Sequence, residues 1–472
     1  MSAVENPRTS DQGGAGLSRR AFATSTLGIA LVGSVGSLFG GRDAAEAATQ
    51  PGRGGLGPVG YGALVPDPAG LLALPAGFSY QLVAEAGVTR LESGELTPSD
   101  PDGTASFVRR GGAGSVLVNN HEISGSEPFP VPHLEGFVYD TDANGGTTNI
   151  EVDRDGQRVR EYVSLAGTHN NCAGGVTPWD TWLTCEETEA VLSKRHGYVF
   201  EVDPYDQEAN RDPRPIKAMG RYAHEAVAVD PREGTCYLTE DASGPNGLLY
   251  RYTPPSSALP LGKGSLRRLG DTDGDLDALV ARDGSGAVVP DLSVATEIGT
   301  TYRVEWSAVA DRDATTTATR SQFEEGQITR SRKLEGMWWD DGGTYVVSSF
   351  ARESDGSALA HDGQVWFLDP VEQTIELKLR FAADPDVDSN PDGPDNITVS
   401  PFGGVMIAED GSGAQHLVGT SVGGEAFFFA RNELNGSEFT GPNFSYNRRM
   451  MFANIQSPGH VFSIQGPFRR QR

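Results

Sequence analysis

The chain carries only three cysteines in 472 residues, Cys172, Cys185 and Cys236, so at least one is unpaired within the molecule. Basic residues are also few: 38 Lys and Arg stand against 64 Asp and Glu, a formal charge of −26. A field of that sign argues against nucleic acid and anionic membrane as partners. It repels an anionic substrate too, unless bound cations reverse the potential locally. Beyond residue 39 no run is apolar enough to cross a bilayer. Helical periodicity is scarce. Familiar catalytic signatures are missing as well, with no Gly-x-Ser-x-Gly elbow, no P-loop, no His-Glu-x-x-His and no Cys-x-x-Cys. The Asp271-Thr-Asp-Gly-Asp275 run misplaces the glycine of a calcium loop and reads as a polar turn.

What is present begins at the N-terminus. Ser18-Arg-Arg-Ala-Phe22 sets paired arginines before a short apolar run, Ala23 to Phe39, and Ala45-Glu46-Ala47 offers a small-residue exit. These features predict a cleaved export signal over 1–47, and the arginine pair points to the twin-arginine route. A membrane anchor fits less well, because the run is rich in Gly, Ser and Thr and barely long enough. Residues 48–472 are then expected as one exported monomeric domain, extracellular, periplasmic or cell-wall associated, free of membrane once the signal is cut. Twin-arginine cargo is exported already folded, often with cofactors loaded.

The body of the chain is a series of short apolar runs between Gly, Asp and Pro turns, among them Ser115–Asn119, Tyr198–Val202, Cys236–Thr239, Thr344–Ser348 and Val405–Ala408. Such runs are strand signals, and several end in Asp-Pro. Their recurrence predicts an all-β fold, a β-propeller with irregular and short helical insertions. Residues 255–332 break the rhythm and read as a helical or irregular insertion between blades.

Four stretches share a plan. Cys172-Ala-Gly-Gly-Val leads through a turn to Thr-Trp-Leu-Thr-Cys-Glu186-Glu187. Glu225-Ala-Val-Ala-Val leads to Cys-Tyr-Leu-Thr-Glu240-Asp241. Glu335-Gly-Met-Trp-Trp leads to Thr-Tyr-Val-Val-Ser348-Ser349, and Asn396-Ile-Thr-Val to Val-Met-Ile-Ala-Glu409-Asp410. Val116 to Glu122 fits the second half of the same unit. A hairpin returns its second strand to the level where the first began. The opening residue and the closing pair of each unit should therefore meet at one end of a sheet, around a common axis. So many carboxylates raise one another's pKa unless cations bind them. Oxygen ligands in this number suit calcium or magnesium, and a thiolate among them asks for iron, zinc or manganese. Cys172 stands where sister units place Glu or Asn, which makes it a ligand candidate. Cys185 shares Leu183's face and reads as core. The plainer alternative is that loop acids are solvated and a lone cysteine is buried filler.

The motifs "NNHE", "NCAGGVTPWDTWLTCEE", "HEAVAVDP", "LEGMWWDDGG", "PDNITVSPFGGVMIAEDG" and "FANIQSPGHVFSIQGPF" resemble the PhoX family of exported alkaline phosphatases over nearly the whole chain from residue 60. The resemblance implies a propeller phosphomonoesterase that uses an oxo-bridged ferric pair with calcium ions and acts on small phosphate esters. Carried over by motif, Cys172 resembles an iron ligand. Glu187, Glu225 and Glu335 resemble further metal ligands, with Asn120, Glu122, Asp395, Asn396 and Glu409 as additional candidates. The family pattern sets a phosphate-gripping arginine two residues before the Glu of the Glu-Gly block. Lys333 stands there in this chain, with Arg332 beside it, and a lysine offers a point charge rather than a fork. Trp179-Asp180 also replaces the more usual Trp-Gly. Two other readings are a propeller hydrolase acting on phosphodiesters or lactones, and a calcium-braced binding propeller without catalysis.

Overall fold

Alternating side chains and frequent turn residues cut the chain into short antiparallel strands that meander outward from a common centre. The structure is a computed structural model, and it describes residues 59–111, 114–340 and 342–470. The expected export signal, 1–47, lies outside the described residues. Strands β1 (Leu64–Val65), β2 (Leu72–Pro75) and β3 (Ser79–Glu85) come first. Blade one is β4 (Pro101–Val108), β5 (Ser115–His121), β6 (Gly145–Val152) and β7 (Arg158–Thr168). Blade two is β8 (Asn171–Val176), β9 (Trp182–Glu186) and β10 (Val199–Val202). Blade three is β11 (His224–Val229), β12 (Cys236–Glu240), β13 (Leu249–Thr253), β14 (Asp275–Arg282) and β15 (Thr301–Ala308).

Blade four is β16 (Leu334–Asp340), β17 (Gly343–Ser348), β18 (Gly363–Asp369) and β19 (Thr374–Phe381). Blade five is β20 (Pro394–Val399), β21 (Val405–Glu409), β22 (His416–Thr420) and β23 (Ala426–Asn432), widened by β2 and β1. Blade six is β24 (Phe439–Phe444), β25 (Met450–Ile455) and β26 (His460–Gln465), completed by β3 from the other end of the chain. The innermost strands β4, β8, β11, β16, β20 and β24 neighbour one another in a closed ring, with β24 back against β4. The all-β propeller expected from the sequence is therefore present, with six blades. Among the described residues the helical content is limited to short 3-10 turns, and no helix is long and apolar enough to cross a membrane.

Apolar side chains from facing blades fill each gap between neighbours. Phe107 and Val118 of blade one meet Trp182 and Phe200 of blade two. Leu183 and Cys185 of blade two meet Val227 and Leu238 of blade three. Leu117 and Ile150 of blade one close the ring against Phe452 and Val461 of blade six and Val83 of β3. Cys185 is core, as its register with Leu183 requires, and none of the three cysteines is paired.

Residues 255–332, expected as a helical or irregular insertion, hold short 3-10 turns and irregular segments and also two added strands, β14 and β15. β15 pairs with β19, with Tyr302 opposite Ile375, and so welds blade three to blade four. The reason lies in burial on both faces of β14. Leu276, Ala278 and Val280 pack into one cluster while Leu279 and Ala281 pack into the next. A strand apolar on both sides loses the alternation that would reveal it.

Candidate metal centre

The six innermost strands share an irregularity. In each, the pairing with its neighbour skips two residues, a β-bulge, between Pro101 and Thr104, Asn171 and Gly174, His224 and Val227, Leu334 and Met337, Pro394 and Ile397, and Thr440 and Asn443. Bulges re-aim side chains at barrel and propeller mouths. The first residue of each bulge is Asp102, Cys172, Glu225, Glu335, Asp395 and, in blade six, Gly441. Five blades thus present an acid or a thiol at one level of the axis. Small neighbours let the bulges touch: a Cβ on Gly103 would fall 2.6 Å from Ala173 Cα, and one on Gly336 2.7 Å from the Asp395 carbonyl oxygen.

The entry into four of these strands is left-handed. Asp100, Asn170, Lys333 and Gly393, each two residues ahead of its bulge residue, have φ of 44°, 55°, 46° and 50°. Three of the four are not glycine, so backbone strain of about 1 kcal/mol or more each is held where the ligand candidates begin.

The second strands add another layer. His121, Glu186, Glu240 and Glu409 are buried and turned into their own blades. Glu186 accepts from the amides of His169, Gly197 and Tyr198 and contacts His196 Nδ1 at 2.6 Å. Glu240 accepts from Tyr250 Oη and Arg320 Nη1. The residue that follows each points the other way, by the period of two. Glu122, Glu187, Asp241 and Asp410 therefore face the axis, half-buried.

Three overlapping donor groups result: Asp102 with Glu122 and Cys172, Cys172 with Glu187 and Glu225, and Glu225 with Glu335 and Asp395. Within each, one donor atom per residue lies within 4.8 Å of the others. The Cys172 thiol donates to Glu225 Oε1 at 2.9 Å. Gln456 Nε2 braces Glu122 and Asp102, and Asn170 Nδ2 bridges Glu122 and Glu187. Glu438 joins the same field beside Asp410 and Asp395.

Burial pushes the carboxyls of Asp102, Glu122, Glu187 and Glu225 and the Cys172 thiol well above their usual ranges, and adjacent acids push them further. Asp395 is pushed up to about 8. Lys333 is also held well above its usual range, its ammonium stabilised first by Glu335 at 3.0 Å. Asp102 Oδ1 and Glu225 Oε2 are buried and lack a hydrogen-bond partner among the described residues. Crowded acids with orphaned oxygens fit divalent or trivalent cations, and the thiol fits a transition metal among them.

Of the residues expected from the sequence, the structure gathers Cys172, Glu187, Glu225, Glu335, Glu122 and Asp395. Lys333 and Arg332 stand at the rim, Lys333 Nζ 3.5 Å from Asp241 Oδ2 and Arg332 Nη1 3.7 Å from Asp241 Oδ1. Three others have different tasks. Asn120 donates to the carbonyl oxygens of Cys172 and Ala173 and accepts from Trp182 Nε1, so its amide is spent holding the β8 bulge. Asn396 accepts from the Gly441 amide, because Asp395 and not Asn396 is the register equivalent of Glu225. Glu409 accepts from the His416 amide and contacts His416 Nδ1 within its own blade. Asp102 and Glu438 have no place in the sequence reading, while Asp241 and Asp410 are expected at the axis within their closing pairs without being singled out as ligands. The alternation within each closing pair is the signal that would have found Asp241 and Asp410.

Comparison with known proteins follows the same line. The sequence model of the family "Alkaline phosphatase PhoX" matches residues 59–160 and 155–459. No curated protein matches by sequence. PhoX of Pseudomonas fluorescens, solved with vanadate as a transition-state analogue, is 18% identical at a TM-score of 0.65, covering 87% of this chain and 98% of that one. A gluconolactonase from Xanthomonas campestris, at 14% identity, 80% and 99% coverage and a TM-score of 0.34, is too distant in shape to inform the function. The fold is that of the Pseudomonas protein, the family match spans nearly all the described residues, and the chain belongs to the alkaline phosphatase PhoX family of metal-dependent phosphatases.

Proposed function

We propose that the protein is an exported phosphomonoesterase whose axial cavity holds iron together with calcium and releases phosphate from small esters. The observation that carries this reading is the chain of donor triads linked through Cys172 and Glu225. A thiol flanked by carboxylates suits iron, and the surrounding hard oxygens suit calcium. Cys172, Glu187, Glu225, Glu335 and Asp395 would hold the cations, with Asp102 and Glu122 on the blade-one side. When bound, such ions neutralise phosphate oxygens and supply the Lewis acidity for an in-line displacement at phosphorus.

The chain's own groups do the rest. Lys333 and Arg332 sit at the rim as the cations nearest Asp241, placed to orient the non-reacting oxygens of a phosphate. Arg332 is steadied by Asp355, its Nε 3.4 Å from Oδ2. Asn170 and Gln456 hold Glu122 and Glu187 in fixed rotamers, which limits the reorganisation needed when substrate arrives. Export is supported by the paired arginines at 19–20 and the small-residue exit at 45–47. Residues 48–472 are taken as one working monomer.

The test is elemental analysis of protein made in a host with twin-arginine export, paired with hydrolysis of p-nitrophenyl phosphate, its bis-ester and a lactone panel. Iron with calcium and turnover of the monoester are expected. Calcium alone without turnover, or preference for the bis-ester or lactones, would overturn the reading.

A further inference from the structure

Five blades share an equivalent position on the second strand, just past the residue that pairs with the start of the bulge. The pairings are Pro101 with His121, Asn171 with Glu186, His224 with Glu240, Leu334 with Ser348, and Pro394 with Glu409. The following residues are Glu122, Glu187, Asp241, Ser349 and Asp410. Four are carboxylates. Blade four alone among these five places a neutral hydroxyl there.

Ser349 is fully buried, and its Oγ has no hydrogen-bond partner among the described residues. Its neighbour Ser348 behaves differently, donating from Oγ to the Arg332 carbonyl oxygen. The Ser349 amide donates to the Lys333 carbonyl oxygen at 2.8 Å, which ties its backbone to the segment that carries the two cations. Phe350 follows, with the Arg332 and Lys333 charges over its ring at 6.0 and 5.6 Å. A buried hydroxyl without a partner costs free energy, so one that persists at a functional site awaits a partner.

We infer that Ser349 is a substrate-binding residue whose hydroxyl donates to a phosphate oxygen held by Lys333 and Arg332. A carboxylate at this position, as in the other four blades, would repel the phosphate and bind metal instead. Replacing it with serine makes the blade-four corner the anion-holding side of an otherwise acidic ring. The inference rests on the phosphatase reading and specifies which part of the cavity holds the substrate.

The test uses the full metal-loaded enzyme and its Ser349→Ala and Ser349→Thr variants, with p-nitrophenyl phosphate as substrate and inorganic phosphate as inhibitor. Wild type is measured first. If it neither turns over the ester nor binds phosphate, the phosphatase reading itself fails. With an active wild type, Ser349→Ala should raise KM and the phosphate inhibition constant together by about tenfold, the usual cost of a donor to a charged group. Metal content should stay unchanged, and Ser349→Thr should recover most of the loss. If alanine compromises folding, Ser349→Cys, similar in shape but a weak donor, takes its place. Constants that do not move would overturn the inference. So would a parallel loss of metal, which would make the hydroxyl part of the ion site, or a trapped phosphoserine at 349, which would make it a nucleophile.

Discussion

Removing the cations should turn the axial cavity into a pH-dependent weakness. Asp395 illustrates the magnitude. Its carboxyl moves from an ordinary 3.8 to about 8 when buried beside Asp102 and Asp410. A carboxyl whose folded pKa is raised binds its proton more tightly in the folded state. Stability therefore falls as pH rises from the unfolded value towards 8, the reverse of a salt-bridged acid. At 1.36 kcal/mol per unit the loss from this one group is about 6 kcal/mol, comparable with the whole net stability of many domains. Glu122, Glu187 and Glu225 are shifted in the same direction and add to it. Thermal melting followed by circular dichroism after exhaustive chelation, at pH 5, 7 and 9, checks this. The chelated protein should lose about 10 °C or more between pH 5 and 9, while the cation-loaded protein changes little. A chelated protein, confirmed empty by elemental analysis, whose melting point is flat or rises over that range would refute the argument.

Cys172→Ser replaces the one soft donor with a hard one. Transition-metal content and turnover should be lost while the melting point with calcium present stays within a few degrees; unchanged turnover would remove the thiol from the mechanism. Lys333→Ala should raise KM for p-nitrophenyl phosphate by about tenfold or more, as loss of an ionic hydrogen bond does, and Lys333→Arg should restore it. Gly336→Ala sets a methyl group 2.7 Å from the Asp395 carbonyl oxygen on the adjacent inner strand. Neither backbone can retreat, so denaturant unfolding should show a loss of about 1–3 kcal/mol.

Much of this geometry was legible because the hairpin is a short-range device. Cys172, Glu225 and Glu335 could be placed at one end of the sheet from the repeat of opening residue, turn and closing pair. Other features were hidden. The bulge adds a residue that sequence periodicity does not announce, so Asn396 was aligned where Asp395 belongs, a one-residue slip that changes the direction of a side chain. Within the closing pairs, which acid turns inward depends on what its neighbour bonds. Glu409 is captured by His416 and Glu186 by three amides of its own blade, contacts far enough apart in the chain that composition does not betray them. Asp102 belongs to blade one, whose opening strand resembles the others too little to be read as a repeat. Strand β14 was hidden by burial on both faces.

The clasp of β3 on β26 also governs when the cavity can exist. Blade six is finished only after one of the earliest strands meets the last, and Gln456 of that blade then spans Asp102 and Glu122 of blade one. A nascent chain still lacking its final strands has an open arc, with these acids facing solvent and no counterpart across the gap. An ion held by Asp102 and Glu122 as Gln456 braces them would therefore be captured late, after blade six has formed and the circle has shut.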